Sequence, residues 1–169
     1  MEEKMEYLEI YNKISDKLLC GENEYRTDSE SIFNIAEKQT TCKINSFEMP
    51  LDNKIIIQKK AKTINIIADS QLSALYERFY FVTAVANILM NRVTEDKIDY
   101  SKIEEDVYCL SLLLLIPKEK LDKALNSYNS FNKICSLFGV DSNMLKHRIT
   151  LDSYLEYIGK QEKIKKKTK

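Results

Sequence analysis

Side chains that could hold a metal ion or act as nucleophiles are few and scattered in this sequence. There is one histidine, His147, and the four cysteines are far apart, at Cys20, Cys42, Cys109 and Cys135. A structural zinc site takes about four closely spaced cysteine or histidine ligands, so none is predicted, and we expect the cysteines to be reduced and mostly buried. No serine or cysteine has a histidine partner and there is no glycine-rich phosphate loop, so neither a nucleophile dyad nor a nucleotide site is predicted.

Asp106 and Cys109 are the pair whose spacing would best allow two side chains to bind the same metal ion. They are three residues apart, which brings them close to one face of a helix. Two ligands rarely make a defined metal site, however. His147 lies between Lys146 and Arg148, where a lone histidine is most often a surface residue. No metal ion or other cofactor is therefore predicted.

The segment ERFYFVTAVANILMN, from Glu77 to Asn91, is apolar over most of its length, which is typical of a buried helix. It contains no histidine and, after Glu77, no carboxylate. It is therefore either a core helix that never carried chemistry or an active-site helix that has lost its catalytic groups. The order of the surrounding elements bears on that choice.

Two helices are predicted before this segment. Apolar residues at nearly helical spacing predict a first helix over residues 3–20, ended by Gly21 as its C-terminal cap. A second helix is predicted from Asp28 to about Gln39, with Asp28 or Ser29 as its N-cap.

Strands are predicted next. The segments TCKINSFEM, NKIIIQ and TINIIA are short and rich in β-branched residues, which predicts three strands between residues 41 and 68 in an antiparallel sheet. Asp69 and Ser70 are then predicted to cap the long apolar helix, which runs to about Arg92.

The rest of the chain is predicted to be helical. Ser101 and Glu104 form a capping box at the start of one helix, which Pro117 ends before beginning another. The segment SFNKICSLFGVDSNMLKHRI predicts a helix-turn-helix-like pair, in which Gly139 caps the first helix and Asp141 begins the second.

Composition and charge agree with an α+β fold. The chain has only 3 glycines and 2 prolines, which favours helix, and its 26 basic and 26 acidic residues balance. We predict a single domain over residues 1–160 and a basic, disordered tail over residues 161–169. The final ten residues carry six lysines, so the body is mildly acidic, and such a tail can contact nucleic acid or an acidic partner.

No membrane association is predicted. The apolar run LSLLLLIP is far shorter than the roughly 20 residues that a spanning helix requires. The acidic, amphipathic start of the chain is unlike a signal peptide, so we expect a cytoplasmic protein.

The order of these elements resembles the ImmA/IrrE family of small zinc metallopeptidases, from about Ile64 to Leu151. The pieces that carry the resemblance are INIIADSQLSALYERF, DVYCLSLLLLIPKEKL and ICSLFGVDSNMLKHRI. In that family an Arg-Phe pair precedes a zinc helix with an HExxH motif, a following helix supplies an acidic third ligand, and a helix pair comes after it. The resemblance implies a zincin-like helical body beside the small sheet.

The resemblance also locates the positions of the lost chemistry. Counted from Arg78-Phe79, the HExxH positions fall on TAVAN, so Thr83 and Asn87 stand for the zinc-binding histidines and Ala84 for the general base. Counted back from Pro117, Asp106 stands for the third ligand. Threonine and asparagine are poor zinc ligands and alanine cannot accept a proton, so the sequence predicts a pseudo-peptidase that binds no zinc and cleaves nothing by this route.

The resemblance implies a regulatory role. Active relatives disable helix-turn-helix repressors of phages or other mobile elements in bacteria, so this chain is predicted to bind a protein partner, such as a repressor, without cutting it. The alternative is nucleic-acid binding by Asn143, Lys146 and Arg148 together with the lysine tail. The residues leave open which partner is bound, whether the chain self-associates, and whether the old cleft is the binding surface.

One structural expectation concerns the vacated site. Thr83 and Asn87 lie one turn apart on one helix face, and both can donate a hydrogen bond to a carboxylate. We therefore expect them to bond Asp106 in place of the metal ion, so that Asp106→Ala would lower stability by about 1–3 kcal/mol.

Overall fold

The computed structural model describes residues 5–21, 23–52, 55–93, 97–98 and 103–167. Over these ranges the protein is α+β, as predicted. In chain order the elements are α1 (Glu6–Ile14), a 3₁₀ turn (Ser15–Lys17), α2 (Ser29–Thr40), β1 (Lys43–Met49), β2 (Ile55–Lys60), β3 (Thr63–Asp69), α3 (Ala74–Leu89), β4 (Lys97–Ile98), α4 (Glu105–Leu115), α5 (Lys118–Ser127), α6 (Phe131–Phe138) and α7 (Ser142–Lys167).

The sheet is mixed, so the antiparallel prediction is wrong. Its strand order is β1-β3-β2-β4, with β1 parallel to β3, β2 antiparallel to β3, and the two-residue β4 antiparallel to β2. Strands β2 and β3 form a hairpin, and β3 lies beside β1, so β1 and β2 are not neighbours in the sheet. Local residue patterns predict that strands exist, whereas their order depends on packing between distant residues.

One face of the sheet packs against helices α2 and α3, and most residues of the other face are exposed or half-buried. The inward residues alternate along each strand and are buried, namely Ile44, Ile55, Ile57, Ile64, Ile66 and Ala68. They contact α2 and α3 and belong to a hydrophobic core that includes residues from α1 through α7. The outward residues are exposed or half-buried, apart from Asp69 at the end of β3, which is buried.

The second helix begins and ends as its residues predict. Asp28 is the N-cap, and its Oδ2 accepts a hydrogen bond from the backbone N–H of Ser31 at 3.1 Å. At the other end, Thr41 adopts a left-handed conformation with φ of 55°, which stops the helix just before β1.

The first helix is shorter than predicted, and Gly21 is not its cap. Helix α1 ends at Ile14, and the following chain becomes extended at Leu18. Gly21 N–H instead donates to the Arg26 carbonyl at 2.9 Å, and Asp28 N–H donates to the Leu19 carbonyl at 2.7 Å. Pairing between these two stretches of backbone therefore replaces the last turns of the predicted helix.

The start of the long apolar helix was also predicted too early. Asp69 is the last residue of β3, and its carboxylate accepts hydrogen bonds from Gln71 N–H at 3.1 Å and Leu51 N–H at 3.4 Å. Helix α3 begins at Ala74 instead. Asp69 thus closes a turn rather than capping a helix.

The C-terminal half is helical. The predicted capping residue Ser101 lies outside the described residues, and α4 starts at Glu105. Helix α4 stops before Pro117, which is the N-cap of α5. Gly139 ends α6 in a left-handed conformation, and Asp141 Oδ1 accepts a hydrogen bond from Met144 N–H at 2.8 Å at the start of α7.

The last helix continues through most of the lysine-rich end of the chain. The backbone of residues 161–167 is part of α7. Within the described residues, no helix combines the length and apolar character needed to cross a bilayer.

Candidate functional site

The positions that would carry zinc chemistry on α3 are packed inside the protein. Thr83 and Ala84 have no exposed surface, and the Thr83 hydroxyl donates to the Phe79 carbonyl of its own helix at 2.9 Å. Asn87, half-buried one turn later, donates from Nδ2 to the Thr83 carbonyl at 3.0 Å. Each side chain thus donates a hydrogen bond to a backbone carbonyl of α3.

Asp106 does not join this pair, so the predicted hydrogen-bond network is wrong. Helices α3 and α4 do pack together. Across the part of the chain that the structure describes, however, no hydrogen bond links Asp106 to Thr83 or Asn87. The backbone carbonyls of α3 lie within reach of both donors, so no carboxylate is needed to satisfy them. In the same described ranges, no group of three His, Cys, Asp or Glu side chains could hold a metal ion.

A stability prediction follows from the half-buried position of Asp106. Because Asp106 does not serve as the acceptor of a buried network, Asp106→Ala is expected to change the free energy of unfolding by less than about 0.5 kcal/mol, as is usual for surface substitutions. Urea denaturation of the two proteins measures this. A loss of about 1–3 kcal/mol would instead support the hydrogen bonds from Thr83 and Asn87 to Asp106 that the sequence predicts.

The cysteines are reduced, but they are not all buried. Cys42 and Cys135 are buried, Cys109 is half-buried and Cys20 is exposed. Burial, followed in effect by the nearby carboxylates of Glu105 and Asp106, raises the pKa of the Cys109 thiol to about 11. Cys109 is therefore a poor thiolate ligand or nucleophile at neutral pH.

A labelling prediction tests this environment. At pH 8 only about one Cys109 thiol in a thousand is ionised, so iodoacetamide is expected to modify Cys109 at least about tenfold more slowly than Cys20. Labelling of Cys109 should rise with pH up to about 11, the pKa of the buried thiol. Peptide mass mapping over time measures both rates, and equal rates at pH 8 would contradict the assigned burial.

Of the predicted nucleic-acid contacts on α7, Asn143 and Lys146 are exposed but Arg148 is not. Arg148 has 0% exposed surface, its Nε donates to the Ile116 carbonyl at 2.9 Å, and its Nη1 forms an ion pair with Asp152. The predicted role of Arg148 on the surface is therefore wrong.

The burial of Arg148 has a signal in the sequence. Met144, Leu145, Arg148 and Leu151 follow the three- and four-residue spacing of one helix face, and all four are buried. The arginine can occupy a core position because its guanidinium group bonds the carbonyl of Ile116, the C-cap residue of α4, and the Asp152 carboxylate.

The neighbouring His147 contributes to an aromatic surface. Its Nδ1 lies 2.8 Å from the Tyr108 hydroxyl, and the two rings meet edge to face with centroids 5.7 Å apart. On α3, the Tyr76 and Tyr80 rings are 6.0 Å apart, and the Tyr76 hydroxyl donates to Asp141 Oδ2 at 3.3 Å. We refer to Tyr76, Tyr80, Tyr108 and His147 as the tyrosine surface.

The tyrosine surface adjoins Thr83 and Asn87, the positions that the resemblance aligns with zinc ligands. Tyr76, Tyr80, Thr83 and Asn87 are spaced by four, three and four residues, which places them along one stripe of α3. Phe79, one residue from Tyr80, connects this stripe to α4, because its ring lies 6.0 Å from that of Tyr108. Aromatic side chains therefore lie next to the place where the sequence predicts the vacated site.

A second constellation, which the sequence did not indicate, holds the turn between α6 and α7. Carbonyls at the end of a helix lack partners within the helix. Here Asn23 Nδ2 donates to Leu137 O at 3.1 Å and Arg26 Nη2 donates to Ser136 O at 3.1 Å. These donors come from the paired segment before α2, more than a hundred residues away in the chain.

Arg78 is the third donor to this turn, and we refer to Asn23, Arg26 and Arg78 as the clamp. Its Nη1 donates to the Phe138 carbonyl and its Nη2 to the Thr27 carbonyl, both at 2.9 Å. Burial, together with the neighbouring Arg26 charge, lowers the pKa of Arg78 to about 10. The arginine of the Arg-Phe pair therefore ties α3, α6 and the segment before α2 together.

Comparisons of this chain with protein-family models, with curated proteins and with solved structures find no match.

Proposed function

We propose that this protein is a catalytically inactive relative of the ImmA/IrrE metallopeptidases that regulates a protein partner by binding it. The resemblance rests on the ordered residues quoted above, and the lost chemistry rests on the residue types at Thr83, Ala84 and Asn87. Ala84 has no group that could activate water, and the Thr83 hydroxyl is already bonded to its own helix.

The observation that carries the binding role is the tyrosine surface. Tyrosine is enriched at the energetic centres of interfaces, because it offers a large rigid ring with a polar end and loses little conformational entropy on binding. Tyr76 is 43% exposed although its hydroxyl is held by Asp141, and Tyr108 is held by His147. These rings are thus pre-positioned for a partner.

The partner class follows from the resemblance. Active relatives act on helix-turn-helix repressors, and a relative without catalytic groups would alter such a repressor by occupancy. We therefore propose a bacterial repressor of a phage or another mobile element as the partner, bound in the cytoplasm.

A matched pair of tyrosines tests the proposed surface. Tyr157 on α7 is also exposed, at 59%, but lies outside the tyrosine surface, so Tyr157→Ala is the control for Tyr76→Ala. The protein is isolated from its native cells with its partner, and the affinity of each variant for the recovered partner is measured by calorimetry. We expect Tyr76→Ala to weaken binding by about tenfold or more, as at an interface hot spot, and Tyr157→Ala to leave it unchanged.

Melting temperatures distinguish the loss of a binding contact from the loss of the folded structure. Unchanged melting temperatures in both variants would attribute the loss to contact rather than to unfolding. Equal affinities of the two variants would remove the tyrosine surface from the interface, and recovery of a cleaved partner would overturn the inactive assignment.

A further inference from the structure

Four lysines cluster at one end of the sheet. Lys59, Lys60 and Lys62 surround the β2–β3 turn, and Lys43 begins the neighbouring strand, where its N–H donates to the Lys62 carbonyl at 2.9 Å. In the strand register, Lys43 and Lys60 both lie beside Thr63, one on each side. We call these four lysines the lysine tip; all four are exposed.

In the described ranges, no acidic side chain forms an ion pair with the lysine tip. Among the described residues, the ion pairs involve other cations, such as Lys118 and Lys123, and none reaches the tip. The carboxylate of Glu37, on the adjacent helix, instead accepts the backbone N–H of Ile44 at 2.7 Å. Clustered like charges repel one another, so this arrangement favours a polyanionic partner.

The outward face of the sheet leads directly away from the lysine tip. Next to Lys43, Thr63 and Lys60 comes a row of amide side chains, in which Asn45, Asn65 and Gln58 are in register. Asn45 Nδ2 donates to Asn65 Oδ1 at 3.0 Å, which leaves the Asn45 Oδ1 and Asn65 Nδ2 atoms for other partners. Together the two side chains offer an acceptor and a donor to one ligand.

An apolar row follows the amides. Phe47, Ile67 and Ile56 are in register across β1, β3 and β2, and Phe47 is 51% exposed. Lys43 and Phe47 are four residues apart on one strand, which corresponds to about 13 Å. Cations, hydrogen-bonding amides and an aromatic ring thus follow one another along the outward face of the sheet.

The geometry points to a binding site for single-stranded nucleic acid on this outward face of the sheet. The lysine tip would contact phosphates, the Asn45–Asn65 pair would bond base edges, and a base would stack on Phe47. A duplex keeps its base faces stacked inside, so it could use the lysine tip but not Phe47. This surface is separate from the tyrosine surface and from the exposed α7 residues.

The test is fluorescence anisotropy of a labelled oligonucleotide of about 12 nucleotides and mixed sequence, a length within the range that such surfaces cover. Lys59 is in register with the inward residue Ile64, so Lys43, Lys60 and Lys62 are the tip lysines that can reach the outward face. For three phosphate contacts we expect the logarithm of the affinity to fall against the logarithm of the salt concentration with a slope of about −2. Replacing all four lysines of the tip with glutamine should weaken binding at least about tenfold and flatten that slope.

Two further variants test whether binding requires Phe47 and the position of the lysines rather than positive charge alone. Phe47→Ala should weaken binding about tenfold without changing the salt slope, because stacking is not ionic. The control removes the same charge from exposed lysines elsewhere and should leave the affinity nearly unchanged; it replaces Lys13, Lys17, Lys133 and Lys160 with glutamine. Equal melting temperatures show that every variant is folded.

Several results would overturn the inference. One is an equal loss in the control variant, and another is equal affinity for a duplex of the same length. Binding to vesicles with anionic lipid that matches binding to the oligonucleotide would assign the lysine tip to membranes instead. Loss of binding in an Asn143→Ala, Lys146→Gln variant alone would move the nucleic-acid site to α7.

Discussion

Arg148→Met is expected to lower the free energy of unfolding by about 3–5 kcal/mol, because it leaves part of a buried ion pair uncompensated. Arg148 is completely buried and bonds both the Ile116 carbonyl and the largely buried Asp152 carboxylate. Methionine fills a similar volume, so the loss reports the missing hydrogen bonds and charge rather than an empty cavity.

The matched control is on the same helix two residues earlier. Lys146 is exposed, so Lys146→Met is expected to change stability by less than about 0.5 kcal/mol. Arg148→Lys should recover little of the loss, because a single ammonium group does not reproduce the two directed bonds of the guanidinium. Urea denaturation measures the free energy of unfolding of all three variants, provided that its dependence on urea concentration (the m-value) is the same in each. Equal midpoints for the two methionine variants would place Arg148 on the surface.

Gly139→Ala is expected to cost about 2–3 kcal/mol, because two separate penalties add at this position. Gly139 has φ of 64°, a conformation that disfavours any side chain with a Cβ. A Cβ there would also lie 2.9 Å from the Arg26 guanidinium, which would have to leave the Ser136 carbonyl.

The protein contains its own control for the glycine substitution. Gly159 lies inside α7, and a Cβ added there meets nothing within 4 Å. Gly159→Ala should therefore stabilise the protein by up to about 1 kcal/mol, since alanine favours helix. Thermal unfolding followed by circular dichroism compares them. The same melting temperature for both variants would show that neither the left-handed conformation of Gly139 nor the Arg26 contact with the α6–α7 turn contributes to stability.

Signals within a few residues predicted part of this fold correctly. Asp28 caps α2, Pro117 separates α4 from α5, Gly139 ends α6 and Asp141 begins α7, because each acts on backbone groups one turn away. These devices depend on local geometry, so a sequence reveals them.

Long-range contacts account for the errors. The parallel pairing of β1 with β3 and the closing of a turn by Asp69 both depend on residues that the local pattern does not connect. The bond from Arg26 to Ser136 spans 110 positions, and no periodicity indicates it. Thr83 and Asn87 were correctly placed on one helix, but their hydroxyl and amide bond the helix backbone, which competes locally with any carboxylate.

Elemental analysis tests whether Thr83 and Asn87, which the resemblance aligns with zinc ligands, bind a zinc ion. The chain is purified, incubated with excess zinc, dialysed and measured together with an Asp106→Ala variant. Because Thr83 and Asn87 are poor zinc ligands and both are bonded within α3, we expect far less than one zinc ion per chain in both proteins. About one ion per chain in the wild type, lost in Asp106→Ala, would contradict it.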